Sequence, residues 1–310
     1  MLSGFITGCL LKTLFILSFA FIRYIDTGNA YYFFYTYLLR ETGSFSYYLV
    51  LAYFLCLWVF NKKDIFSKYL NQKAQNFILI FSLLLFALVI ILLQTKSVII
   101  YFYLINALFL IIYFKKRQSK LMFFTLVFCS LFILVFGKEM RFISFFKEEK
   151  VMIEQKVPDL NTKTEQSLES TSLRKNSIIT TFDIIKSHFI FGVGTGDLTD
   201  EMTIKYKEFG YIYNYQEQTN PHNQYLRTFG KNGILGILAL LAFFAFNFLY
   251  WIKTKSPILL AFNLIVLLSC MTNDLFDTGG GAPLIGLMLP LIYLWSKTDK
   301  ESNIHTVEIN

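Results

Sequence analysis

The stretch Gly192–Gly233 gathers the residue types that could do chemistry. It opens on Gly192-Val193-Gly194-Thr195-Gly196 and runs through a tyrosine-rich segment to Pro221-His222-Asn223-Gln224-Tyr225-Leu226. Arg227 and Gly230 then lead into an apolar run. An imidazole takes up a proton near neutral pH, so His222 suits a general base acting on a hydroxyl. Pro221 restricts Asn220 to extended backbone and stiffens the approach to the histidine. The plainer reading of His222 is a structural histidine donating to a backbone carbonyl. His188, on a helical stretch, and His305, in the tail, stand outside this constellation.

Four cations complete the set: Arg174, Arg227, Lys96 and Arg141. A guanidinium grips phosphate oxygens through two parallel hydrogen bonds, and gathered cations stabilise an anionic leaving group. The alternative for each is headgroup binding or snorkelling. Tyr206, Tyr211, Tyr213, Tyr215 and Tyr225 form an aromatic band around the histidine. Such rings stack on sugar faces, and they equally form belts at membrane interfaces. The Gly192–Gly196 run lacks the preceding strand and βαβ unit of a dinucleotide fold, so it reads as a tight turn ending a helix. Its backbone N–H groups could still meet a phosphate. Asp274 and Asp277 have no third acidic residue nearby for a metal, and they read as partners for the arginines.

These residues need a frame, and the rest of the chain supplies it. The 310 residues are 55% hydrophobic with a mean hydropathy of +0.50, which is high for a soluble domain. Apolar runs fall at approximately 4–22, 43–60, 76–94, 97–114, 120–137, 232–252, 257–271 and 282–296, each of a length suited to crossing a bilayer. The first carries Lys12, which snorkelling accommodates. The aromatic run Ala30–Leu39 is too short to cross and reads as interfacial or re-entrant.

The net charge of +8 belongs to short loops between these runs and is no nucleic-acid signature. Lys62, Lys63, Lys68, Lys73, Lys115, Lys116, Arg117, Lys120, Lys253, Lys255, Lys297 and Lys300 all fall on one side, while the opposite short connections hold only Arg23, Arg40 and Lys96, and Thr272–Gly281 holds no basic residue. The positive-inside rule puts the lysine-rich side and both termini in the cytoplasm. Cys9, Cys56, Cys129 and Cys270 lie in or beside apolar runs and form no CxxC pair, which argues against a metal or redox site. The N-terminus lacks a basic stretch before its apolar run, so a first transmembrane helix is expected rather than a cleaved signal.

The expected fold is therefore all-α: a polytopic membrane protein of about eight transmembrane helices with one large extracytoplasmic loop containing amphipathic helices. Four regions are expected: transmembrane helices over 1–137, the large loop with the candidate site over 138–231, transmembrane helices over 232–296, and a cytoplasmic tail over 297–310. Within the loop, Lys147–Lys175 is polar and reads as a surface helix or mobile loop. Ser177–Phe191 carries Ile178, Phe182, Ile185 and Phe189 at helical spacing and predicts an amphipathic helix ending near Gly192.

Taken together, the residues resemble the O-antigen ligase and polymerase family of bacterial membrane glycosyltransferases. The match is carried by Phe191-Gly192-Val193-Gly194-Thr195-Gly196, by His222-Asn223-Gln224-Tyr225-Leu226 and by Gly230-Lys231-Asn232-Gly233-Ile234-Leu235-Gly236, with Arg174 ahead of the glycines. Where the family frequently has a Ser-Arg-Gly-like motif, this chain reads Gln94-Thr95-Lys96-Ser97, exchanging a bidentate guanidinium for a point charge. Family members commonly have more spans, so the chain looks short at its N-terminus.

The resemblance implies a metal-independent, inverting transfer without cofactor, at the periplasmic face of the bacterial inner membrane, within lipopolysaccharide or polysaccharide biosynthesis. A glycan would move from undecaprenyl pyrophosphate to an acceptor hydroxyl such as that of lipid A core. His222 would activate that hydroxyl. Arg174 and Lys96 would hold the pyrophosphate, with Arg227 or Arg141 assisting, and Asn223, Tyr225 and Tyr215 would contact glycan or acceptor. A repeat-unit polymerase and a protein O-oligosaccharyltransferase share the donor and stay open beside the ligase. A non-catalytic polysaccharide or lipid transporter is the other class. It expects charge buried in mid-bundle, whereas the polar groups here concentrate in one loop.

Overall fold

The computed structural model describes residues 2–28, 42–60, 71–112, 117–136 and 165–307. Among them the secondary structure is helical, as expected, with no strand. The helices are α1 Leu2–Thr27, α2 Thr42–Phe60, α3 Gln72–Leu92, α4 Lys96–Ile112, α5 Arg117–Phe136, α6 Glu165–Ser187, α7 Leu198–Glu208, α8 Ile212–Glu217, α9 Gln224–Thr254, α10 Pro257–Ser269 and α11 Gly281–Val307. A 3-10 turn, Leu275–Asp277, follows α10. Every expected apolar run lies on one of these helices. Among the described residues four stretches are long and apolar enough to cross a bilayer: Ser3–Thr27, Gln72–Leu92, Ser119–Phe136 and Gln224–Thr254. Phe45–Phe60, Lys96–Ile112, Pro257–Ser269 and Gly281–Lys297 are apolar but shorter. Ala30–Leu39, Arg141 and most of Lys147–Lys175 lie outside the described residues.

The chain divides into two compact units. The first comprises Met1–Val151, Lys255–Ile265 and Gly286–Asn310. Its centre is α2, where Leu49, Leu51, Ala52, Tyr53, Leu55 and Cys56 are wholly buried. A helix apolar on every side has no wet face and belongs inside a bundle. At its middle the Tyr53 hydroxyl is satisfied, donating to Asn106 Oδ1 at 3.0 Å, and the Asn106 amide donates to the Phe102 carbonyl at 2.8 Å. Lys12 finds a partner as well as solvent: its ammonium sits 4.4 Å from the centre of the Phe45 ring, a cation–π contact.

The second unit comprises Met152–Thr254 and Val266–Ile285. It differs from expectation in two places. Helix α6 ends at Ser187, earlier than predicted, and the amphipathic face is rotated. Of the four residues read as its apolar stripe only Ile185 is buried; Phe182 and Phe189 are exposed and Ile178 is intermediate. The buried stripe is Ser177, Thr180, Thr181, Ile184 and Ile185. Small hydroxyl residues let α7 approach closely, and Ile184 joins a core of Leu198, Met202 and Tyr206. Tyr206 is therefore core and not part of a band lining the histidine. The second difference is α9, which starts at Gln224 and not near residue 232. The expected boundary is a kink inside a continuous helix, where Gly233 takes φ 62°.

Candidate functional site

The second unit is held in shape by a clasp between the glycine run and that kink. The Val193 and Gly194 amides donate to the Gly230 and Lys231 carbonyls, and the Ile234 amide donates to the Phe189 carbonyl, each at 2.9 Å. At Gly192 and Gly233 a side chain would collide with opposing backbone, Lys231 in one case and Ile190 in the other. Both also adopt positive φ, which glycine alone enters without strain. The glycines thus make a tight turn and a close crossing, and their amides at 193 and 194 are spent within the protein.

Helix α9 begins in a second anchorage. Asn223 caps it, its Oδ1 accepting from the Leu226 amide at 3.1 Å. The Asn223 amide donates to the Met271 carbonyl at 3.1 Å, the Gln224 amide to the Cys270 carbonyl at 2.8 Å, and the Tyr225 hydroxyl to the Leu267 carbonyl at 2.9 Å. Two residues expected to touch glycan or acceptor, Asn223 and Tyr225, thus use these groups to fix the helix start against the end of α10. Tyr215 is exposed on the short α8.

His222 stands immediately before this anchored helix, between buried Pro221 and the capping Asn223. Its backbone has φ 46°, in the left-handed region that non-glycine residues seldom adopt. The side chain is accessible. Its proton affinity is set by its surroundings. Partial desolvation lowers the imidazole pKa most, Asp274 opposes this, and the positive charges of Arg174 and Arg227 lower it further. The net direction is down, leaving a neutral imidazole that can accept a proton at neutral pH.

The cations around it are unlike one another. The Arg227 guanidinium reaches Asp274 at 2.9 Å and Asp277 at 3.1 Å, and Lys231, on the same helix face, reaches Asp277 at 2.7 Å. Two cations and two carboxylates cancel. The pairing of Asp274 and Asp277 with an arginine agrees with the sequence, and Lys231 is the member that sequence reasoning missed. Its signal was available, because Arg227 and Lys231 are one helical turn apart. Burial by itself would raise the Asp277 pKa, but the Lys231 hydrogen bond, the Arg227 charge and the Gln224 amide together hold it below the usual carboxylate range. Arg174, exposed on α6, acts electrostatically on His222 and makes no ion pair among the described residues. Lys96 starts α4 in the first unit.

A polar network joins the helix of Arg174 to the loop of His222. The Tyr206 hydroxyl lies 2.9 Å from both Ser177 Oγ and the Thr219 carbonyl oxygen, and its single proton serves one of them at a time. The Asn214 amide donates to the Leu173 carbonyl at 2.8 Å and to Thr219 Oγ1 at 2.7 Å, and the Asn176 amide donates to Asn214 Oδ1 at 3.1 Å. Ser177, Tyr206 and Asn214 are buried, so each bond is made in a low-dielectric setting and is costly to lose.

Beside the clasp, α9 lines a cavity of about 430 Å³. Thr195, Gln224, Thr228, Lys231, Asn232 and Asp277 form its polar end, and Ala239, Leu240, Phe243 and Phe276 its apolar end. The same carboxylate clasp touches both places, since Asp274 acts on His222 and Asp277 lines the cavity.

Comparison with curated proteins returns no match. A model of the O-antigen ligase family matches residues 81–241, which includes Arg174, the glycine run, His222 and the kinked start of α9. With its apolar helices and this match over more than half its length, the chain belongs to the O-antigen ligase family of membrane glycosyltransferases that act on glycans and lipid-linked substrates.

Proposed function

We propose that the protein moves a glycan from undecaprenyl pyrophosphate to an acceptor hydroxyl, with lipid A core as the acceptor, as an O-antigen ligase. His222 is the general base. The acceptor oxygen attacks the anomeric carbon, its proton passes to the imidazole, and the bond from that carbon to the pyrophosphate oxygen breaks. The electron pair leaves with the pyrophosphate, whose charge Arg174 holds. Attack opposite the leaving group inverts the anomeric centre. The observation that carries this reading is the contrast between two arginines beside one depressed imidazole: Arg227 is neutralised by Asp274 and Asp277, and Arg174 is unpaired among the described residues. A base and an available guanidinium are the two groups this transfer needs.

Arg227 then serves to orient, together with Lys231, and the cavity along α9 takes an amphiphilic substrate with its polar part towards Asn232 and Thr195. The lysine-rich loops on one side support a periplasmic position for this unit at the inner membrane.

The test is the surface glycan profile of a strain lacking the protein, complemented with the native form or with His222→Ala. Loss of polymer from lipid A core, with lipid-linked polymer accumulating, is expected in the deletion and in the variant. Single repeat units would indicate a polymerase, and loss of a glycoprotein alone would indicate a protein acceptor. Full function of inserted His222→Ala would overturn the catalytic role.

A further inference from the structure

The turn after α6 presents apolar side chains that its own unit leaves uncovered. Phe189, Ile190 and Phe191 are 50%, 57% and 77% exposed, and Ile179 and Phe182 extend the same character along α6. This is not the packing face of the helix, which is the Ser177, Thr181 and Ile184 stripe. A contiguous exposed apolar patch marks a surface that meets something apolar.

Its position says what. The turn is fastened to the point where α9 becomes continuously apolar. The Phe189 carbonyl accepts from the Ile234 amide at 2.9 Å, and the Phe189 and Phe229 rings pack edge to face at 5.3 Å between centres. Gly192 and Gly233 close the crossing so tightly that neither tolerates a side chain. Just beyond it, Leu235 and Leu238 on α9 are 60% and 53% exposed. They begin the outward face of a helix long and apolar enough to cross a bilayer. The exposed turn is fastened beside that face, where the apolar run of the helix begins.

We propose that Phe189, Ile190 and Phe191 form a wedge inserted into the outermost acyl layer of the bilayer, fixing the depth at which the unit carrying His222 and Arg174 sits. Aromatic and aliphatic side chains at this level leave water for the acyl boundary, as on an interfacial helix. The backbone bonds to α9 make the depth a fixed one. Lys186 and His188, exposed just before the turn, are suited to the headgroup layer.

The experiment uses the full chain in vesicles of phosphatidylethanolamine and phosphatidylglycerol. A cysteine placed by Phe191→Cys is labelled with an environment-sensitive fluorophore, since the native cysteines are all buried. Lys207→Cys, exposed on α7, provides the comparison. Nitroxide lipids labelled near the headgroup are expected to quench the label at 191 severalfold more than the label at 207, and aqueous iodide is expected to do the reverse. Ile190→Cys, read in the same way, guards against a folding defect in the first variant. Equal iodide quenching at 190, 191 and 207 would overturn the wedge. Protection from both quenchers would overturn it too, because a protein surface would then cover the turn.

Discussion

The hydroxyls of Ser177 and Thr219 lie 2.9 Å apart, and this contact ties the helix of Arg174 to the loop of His222. Asn214 and Tyr206 complete the junction from the other side, with Asn214 donating to Thr219 Oγ1 at 2.7 Å. On the proposed mechanism these two groups act on one transfer, and they must then be held within a fraction of an ångström of their working geometry. Replacing Asn214 with Ala leaves buried acceptors unpaired, which costs about 1–3 kcal/mol. The expected outcome is a lower thermal midpoint in detergent and a fall in kcat, checked by unfolding curves and transfer assays on purified enzyme. Thr219→Ser keeps the hydroxyl and should keep activity, whereas Thr219→Val should lose it.

The glycine crossing gives a sharper result. A methyl group at Gly233 meets the Ile190 backbone, and the backbone there is at φ 62°. With ψ −157° the residue lies in a region that is essentially reserved for glycine, and strain of about 1–3 kcal/mol adds to the collision. Gly233→Ala should prevent stable folding, or separate the turn from α9 and expose it to protease. Gly196→Ala meets nothing within 4 Å and should be silent. Expression and limited proteolysis of the two variants check this.

That contrast shows how far the sequence could be read. The apolar runs placed the helices because hydrocarbon length and composition leave little choice. His222, Arg174 and Arg227 were visible as types in a polar loop, and the structure places the two arginines where both act on the histidine. The buried face of α6 was misread because small hydroxyl residues, Ser177, Thr180 and Thr181, form it, while Phe182 and Phe189 face outward. In a chain with a lipid boundary, apolar periodicity does not distinguish a core face from a membrane face. The start of α9 was misplaced because Gln224–Asn232 is polar for the cavity and the ion-pair clasp, and polarity there mimics a loop. The different fates of Arg174 and Arg227 depend on Asp274 and Asp277, brought in from a distant loop, and no local pattern announces such a pairing.

The clasp itself can be tested by a double-mutant cycle. The Arg227 and Asp274 side chains are only 16% and 7% exposed, so removing one partner strands the other in a poorly solvated site. Arg227→Ala should destabilise by about 3–5 kcal/mol. Asp274→Asn alone should also destabilise, and the double variant should fall short of the sum by about 0.5–3 kcal/mol. Arg227→Lys keeps the charge but cannot reach both carboxylates with a rigid fork, so it should recover part of the stability. Thermal unfolding in one detergent across the four proteins gives the coupling. Additive losses would mean the 2.9 Å contact carries little energy.

The pH dependence of transfer discriminates a base from a structural histidine. His222 must be neutral to accept a proton, so activity should fall as pH drops through its pKa. That midpoint should lie below the ordinary imidazole value of 6.5, because desolvation and two guanidiniums outweigh Asp274. The acid limb of kcat/KM reports the free enzyme. Arg174→Gln removes a charge that lowers the pKa, so the limb should move to higher pH while pyrophosphate binding weakens. Asp274→Asn removes the charge that raises it, so the limb should move to lower pH. Opposite displacements by two residues of opposite charge that act on one imidazole assign the titrating group to His222. A limb that stays fixed in both variants would assign the proton to another group.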